Sequence, residues 1–416
     1  MDFKKKRWIS LFAGVGIEAL SGIVYAWSVF QAPLMEKYGW SVTQVAITYT
    51  LTSISTMLCT IFFGGKAHRL MSIRKELVMG TLLYGVFMMA TAFLFGRLIL
   101  LYLFFGILSA AGLAFVYPLL ISYAVEMFPD HSGVAGGIMT AGYGLGSVLW
   151  APLATKLHTL TGDISKVFFI LGALFLAGML LLTLLIFSPP PEFRQNMLEI
   201  HSEKAPSRIR HTVIPSLYEV DTPAMLRMIP FYMTFFTLLL GLSCGGMIIN
   251  QAAPIMTLTF GDSPAAAARL VSLLAVFNVA GRLFWGPISD KLGKSATLVL
   301  INILLVICML GLLLCSGRIL FTSALLGALL CYGGTASLIA PLTAELFGHH
   351  HVTENYSVMF CVFGCASMVG PPLISAIRDA TGAYTMAYIW AIAFALLSLT
   401  MSLILYRLRG AKIPKI

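Results

Sequence analysis

The sequence predicts an all-α polytopic membrane protein, with twelve transmembrane helices in two six-helix repeats. Three observations predict it. Apolar runs of roughly 18 or more residues recur along the chain, each long enough to cross a bilayer as a helix. The composition is 59% hydrophobic and 11% charged, with mean hydropathy +0.91, whereas a soluble domain carries about 25% charged residues. The two halves of the chain repeat each other. A membrane barrel would instead show short alternating segments.

The spans are expected at 8–34, 43–65, 77–96, 98–125, 132–155, 166–188, 227–254, 264–287, 296–316, 319–347, 355–377 and 383–407. The basic start (Lys4, Lys5, Lys6, Arg7) before an apolar run resembles a signal peptide. It lacks a small-residue cleavage site, so it reads as the first retained span. Between spans six and seven lies one long polar stretch. It opens with three prolines (Pro189, Pro190, Pro191) and carries Glu192, Arg194, Glu199, Glu203, Lys204, Arg208 and Arg210, which is linker composition. The expected organisation is an N-terminal bundle over 1–188, a cytoplasmic linker over 189–226 and a C-terminal bundle over 227–416.

The repeat is visible residue by residue. Pro152-Leu153 and Thr161-Gly162 recur as Pro372-Leu373 and Thr381-Gly382. Glu126-Met127-Phe128 recurs as Glu345-Leu346-Phe347, and Gly65 as Gly286. Gln31-Ala32-Pro33 recurs with one extra alanine as Gln251-Ala252-Ala253-Pro254. The nearly constant offset argues duplication. Two parallel six-helix repeats are a transporter architecture, with the site expected near the midplane between them.

Of the 27 Lys and Arg, 19 fall on one set of loops and tails. By the positive-inside rule that set is cytoplasmic, and so are both termini. The net charge of +10 therefore reads as membrane topology, not nucleic-acid binding. The seven cysteines lie in apolar segments and match no zinc spacing. The eight histidines, including the run His349, His350 and His351, lie in loops or tails. No metal or cofactor is expected, and no nucleophile-elbow, Walker or zinc-hydrolase pattern occurs, so an enzyme is not expected.

Span eight stands out because Arg282 is the one arginine or lysine read as lying inside a hydrophobic span rather than at its edge. A charge at membrane depth costs about 2.5–3.5 kcal/mol on insertion scales and normally faces a bundle interior or a watery cavity. Asn278 lies one turn earlier on the same face. Next comes Gly286-Pro-Ile-Ser-Asp290-Lys291-Leu-Gly293-Lys294. This loop resembles the G-x-x-x-D-[RK]-x-G-[RK] loop of the major facilitator superfamily. In that reading Gly286, Asp290, Lys291 and Gly293 form a conformational latch, with Asp290 accepting hydrogen bonds from a helix N-terminus. The first-half copy from Gly65 to Lys75 has Arg69 in place of the acid and Ser72 in place of a glycine, so the latch is expected in the second half only.

Span one reads Gly22-Ile-Val-Tyr25-Ala-Trp27-Ser28-Val-Phe30, then Pro33-Leu34, then Tyr38-Gly39-Trp40-Ser41. It resembles the oxalate/formate antiporter family, close to the monocarboxylate transporters. Two further motifs carry the same resemblance: Gly281-Arg282 with Gly286 on span eight, and Gly142-Tyr143-Gly144-Leu145-Gly146 on span five. The resemblance implies the major facilitator fold and makes Arg282 the anchor for a substrate carboxylate. A guanidinium is a planar fork that matches a carboxylate bidentately and stays charged at any working pH.

The chain departs from its relatives twice. Phe363 stands where the oxalate exchanger has a second cation. Asn278 stands where the eukaryotic carriers have an acid. A single cation suits a monoanion better than a dianion. Glu18 is the acid predicted deep in the bilayer and is the candidate for proton coupling. Tyr25, Tyr117, Leu145, Tyr332 and Phe363 are the candidates to line the cavity.

The expected function is alternating-access transport of a small monocarboxylate of the lactate, pyruvate or formate class. It would be proton symport or anion exchange by a monomer in the bacterial inner (plasma) membrane. Three alternatives are a dicarboxylate exchanger of the oxalate type, a proton-driven drug exporter and a non-transporting anion sensor.

Overall fold

The structure is a computed structural model that describes residues 3–188 and 216–412. Among the described residues the regular secondary structure is all helical. In chain order the helices are α1 (Phe3–Ser21), α2 (Trp27–Tyr38), α3 (Val42–Cys59), α4 (Gly65–Leu70), α5 (Ile73–Ala90), α6 (Leu98–Leu101), α7 (Ala110–Ala114), α8 (Tyr117–Met127), α9 (Ser132–Thr161) and α10 (Ile164–Thr183). The second half supplies α11 (Thr222–Met225), α12 (Ile229–Phe260), α13 (Pro264–Leu292), α14 (Lys294–Leu314), α15 (Arg318–Phe347), α16 (Val352–Met359), α17 (Cys361–Thr381) and α18 (Thr385–Lys412). Among the described residues, eleven helices are long and apolar enough to cross a membrane. The twelfth expected span is α5, whose first turn carries Arg74, Lys75 and Glu76.

Several spans differ in length or continuity from the sequence expectation. Span one is α1, a tight turn of 3-10 helix over Gly22–Ala26, and then α2. Span three stops at Ala90 rather than 96, and the chain then turns, with Phe95 and Gly96 at positive φ. Span four breaks between α7 and α8, just before Pro118. Proline has no N–H to give the carbonyl one turn back, and its ring crowds that carbonyl. Span eight does not turn at Gly286; α13 continues through Pro287 to Leu292.

The described residues pack as two compact units. One is built from the described parts of Met1–Phe128, Met139–Asn196 and Tyr356–Cys361. Within it α5 lies along α10, and α10 also packs on α1. The other is built from the described parts of Pro129–Ile138, Met197–Asn355 and Val362–Ile416. Within it α13 runs along α15, α14 lies between α15 and α18, and α12 touches both α15 and α18.

The repeat seen in sequence is also local geometry. Helix α2 ends at Gly39 (φ 69°) and α12 at Gly261 (φ 67°). The next helices, α3 and α13, are capped by Ser41 and Ser263, whose hydroxyls accept from Gln44 N and Ala266 N. Helices α9 and α17 run into Gly162 (φ 65°) and Gly382 (φ 71°). Left-handed glycines and serine N-caps close helices at little steric cost.

The last part of the expected linker is not a free tether. Leu217 N, Tyr218 N and Val220 N donate to the carbonyls of Glu345, Leu346 and Phe347 at 2.9–3.1 Å. These are carbonyls of the last turn of α15, which the helix cannot satisfy itself. The segment 189–215, with the proline run, lies outside the described residues.

Candidate functional site

The site is built on α13. Ser263 caps its N-terminus, Pro264 takes the first turn where no N–H is needed, and a run of alanines follows. Arg282 sits ten residues before Leu292, about 15 Å of helix rise from the end. Its side chain is fully buried, at 0% exposure, and is the largest such side chain described.

Arg282 Nε donates to Asn278 Oδ1 at 3.4 Å, so the two residues on one face of α13 meet directly. The backbone around the pair is tightly held. A Cβ on Gly333 of α15 would collide with the Asn278 carbonyl, and one on Gly137 of α9 with the Arg282 carbonyl. Only glycine allows backbones this close, and the approach presents Arg282 from a rigid crossing. Tyr332, the neighbour of Gly333, packs closely against Gly245 of α12. Phe363 is half-buried near the start of α17, in the same unit.

Two turns beyond Arg282, Asp290 is the hub of a charged cluster. Its Oδ1 accepts from Gly133 N at 2.8 Å and its Oδ2 from Val134 N at 2.9 Å, which caps the first turn of α9. Backbone N–H groups at a helix start carry partial positive charge and favour a carboxylate. Lys294 Nζ lies 2.8 Å from Asp290 Oδ1, and both side chains are nearly buried. Lys291, named with Asp290 in the expected latch, is instead exposed. Lys294 is i+4 from Asp290, on the same side of the chain across the Gly293 turn, whereas Lys291 is adjacent and points away.

Sequence reading missed the role of Glu345. Its carboxylate accepts from Lys294 N at 3.0 Å, from Ser295 N at 3.1 Å and from Ser295 Oγ at 2.7 Å. It thus caps α14 as Asp290 caps α9. The available signal was the duplicated Glu-x-Phe triplet, read only as evidence of a repeat.

The other candidates lie in the first unit. Glu18 on α1 is fully buried, its Oε2 3.3 Å from Ser21 Oγ. Its Cβ packs where Gly142 of α9 leaves room. Tyr117 packs on Tyr143 with ring centroids 4.4 Å apart and on Phe360 at 5.4 Å, an aromatic cluster in which Tyr143 and Phe360 were not foreseen. Leu145 is 39% exposed on α9. The Tyr25 side chain lies outside the described residues, on the 3-10 turn. Among the described residues no group of three His, Cys, Asp or Glu is placed to hold a metal.

The family model of the Major Facilitator Superfamily matches residues 11–343 and again 235–415. The chain belongs to the Major Facilitator Superfamily. It is 24% identical to the oxalate:formate antiporter of Oxalobacter formigenes, over 98% of this chain and 92% of that one. It is 22% identical to mouse monocarboxylate transporter 12, over 93% and 83%. Among solved structures it matches FucP, the Escherichia coli fucose:proton symporter, with TM-score 0.73 and 12% identity over 97% of this chain and 99% of that one. The facilitator fold makes this a multi-pass membrane protein.

Proposed function

We propose that this facilitator carries small monocarboxylates of the lactate, pyruvate or formate class by alternating access. The observation that carries the reading is Arg282, a permanently charged fork held fully buried on a glycine-packed helix. A guanidinium is a permanently charged planar fork, and a carboxylate is the anion its geometry fits. The relatives named as an oxalate:formate antiporter and a monocarboxylate transporter point to the same chemical class. In this reading the protein is a monomer in the inner (plasma) membrane, and the distribution of Lys and Arg supports placing both termini in the cytoplasm. Its chemistry is binding and release, without a covalent step.

Counterflow of labelled pyruvate in proteoliposomes tests the carrier reading. A sensor would bind the anion without exchanging it.

Oxalate exchange is the second reading, favoured by the Oxalobacter relative. Phe363 argues against it, because a second carboxylate there would meet an aromatic ring in place of a cation and remain poorly compensated. Oxalate is expected to compete at least tenfold less well than pyruvate for binding. Phe363→Lys is expected to reverse that order. Tight oxalate binding by the unaltered protein would remove the argument from Phe363.

Asp290, Lys294 and Glu345 are proposed to hold one conformational state. Asp290→Asn removes the charge that two helix-start N–H groups and Lys294 share. Charge-assisted bonds contribute about 1.5–3 kcal/mol each, so the latched population should fall by about tenfold or more. Exchange rate is expected to drop about tenfold, with equilibrium affinity for pyruvate within about threefold of the parent. If affinity collapses with the rate, Asp290 belongs to the binding site instead.

A further inference from the structure

The two repeats close the same corner differently. In both, the threonine ending the fifth helix of the repeat bonds back to its own helix and to the turn. Thr161 Oγ1 lies 2.8 Å from Leu157 O and 3.3 Å from Asp163 O. Thr381 Oγ1 lies 2.8 Å from Ile377 O and 3.0 Å from Ala383 O. The glycine N–H that follows donates to His158 O in one repeat and to Arg378 O in the other, each at 2.8 Å. The corners are therefore equivalent, with His158 standing where the second repeat has Arg378.

Two residues beyond the glycine the repeats part. In the second, Tyr384 is buried, and its hydroxyl donates to Gln251 Oε1 at 2.9 Å. Gln251 Nε2 donates on to Ser375 Oγ at 3.0 Å. This network fills the space between α12 and α17. In the first, the buried residue is Ile164, which has neither the ring nor the hydroxyl. A cavity of about 410 Å³ opens there, between α2 and the end of α9. Phe30, Pro33 and Ile164 form apolar walls, and Thr155, His158 and Thr159 supply polar atoms. Its volume lies in the range of small-molecule sites, about 300–1,000 Å³. At its edge Lys37 Nζ is 2.6 Å from Asp163 Oδ1, so that carboxylate has its own cation.

We propose that this corner is a binding site for a monocyclic aromatic acid, separate from Arg282. The equivalent space in the second repeat holds a phenol, so a six-membered ring fits the vacated volume. The ring packs on Phe30 and Pro33, and the acid group meets the His158 imidazole. This proposal does not depend on which anion Arg282 holds.

The probe is [14C]benzoate, bound to the full-length protein in lipid nanodiscs at pH 6. Saturable binding is expected in the parent and in Arg282→Ala. Ile164→Tyr, which restores the plug of the second repeat, is expected to weaken it at least tenfold. Pyruvate counterflow by Ile164→Tyr reports that this variant is folded. Should Ile164→Tyr fail to fold, His158→Gln carries the test, again with at least a tenfold loss expected. Benzoate bound as tightly by Ile164→Tyr or by His158→Gln as by the parent would overturn the assignment. So would the absence of saturable benzoate binding in the parent, or its loss in Arg282→Ala, which would place the benzoate on Arg282.

Discussion

Arg282→Lys is expected to lose carboxylate binding nearly as completely as Arg282→Ala. Both keep α13 helical, because lysine and alanine are good helix formers. Lysine also keeps the charge. What it lacks is the fork: an ammonium cannot present two parallel donors while a third N–H stays on Asn278, as Nε does at 3.4 Å. A charge-assisted hydrogen bond contributes about 1.5–3 kcal/mol, so the loss is about tenfold to over a hundredfold in affinity. Competition binding of pyruvate to the two variants measures it. A lysine variant that binds like the parent would discard the bidentate anchor. An alanine variant that does so would make Arg282 structural.

Glu18→Gln is expected to abolish proton-driven accumulation while sparing exchange. Glu18 is fully buried on α1 with Ser21 Oγ beside Oε2. Glutamine keeps the shape and the hydrogen bond but has no proton to release. A carrier of protons must alternate between charged and neutral forms, whereas substrate-for-substrate exchange never returns an empty carrier. Uptake driven by a pH gradient and counterflow, measured in the same liposomes, separate the two. Accumulation unchanged by the substitution would show that Glu18 is a packing residue, and that any proton travels with the substrate's own carboxylate.

Much of the site was legible because its signals are local. Arg282 and Asn278 are one turn apart on one helix, so their pairing follows from helical period alone. Gly286 and Pro287, by contrast, look like a turn in sequence yet lie inside a continuous α13. Flanking helix packing overrode the local preference there. The choice of Lys294 over Lys291 also depended on where the turn falls, and boundaries are the least local part of any helix.

Sequence alone determined the helical class, the two repeats, the buried arginine and the aspartate that caps a helix. Hydropathy, periodicity and offset are written in neighbouring residues, and the cost of burying backbone polar groups in lipid permits little besides helices. Tertiary structure decided which chain ends meet. The capping of α9 by Asp290 joins residues 157 apart, and that of α14 by Glu345 joins residues 51 and 50 apart. The last part of the expected linker satisfies the final carbonyls of α15 in the same way. A helix end must find partners for its unpaired groups, but its own sequence does not say which distant segment brings them. Nor does it say whether a corner is filled. One tyrosine in the second repeat and one isoleucine in the first separate a closed network from an open cavity, and only the packing around them reveals it.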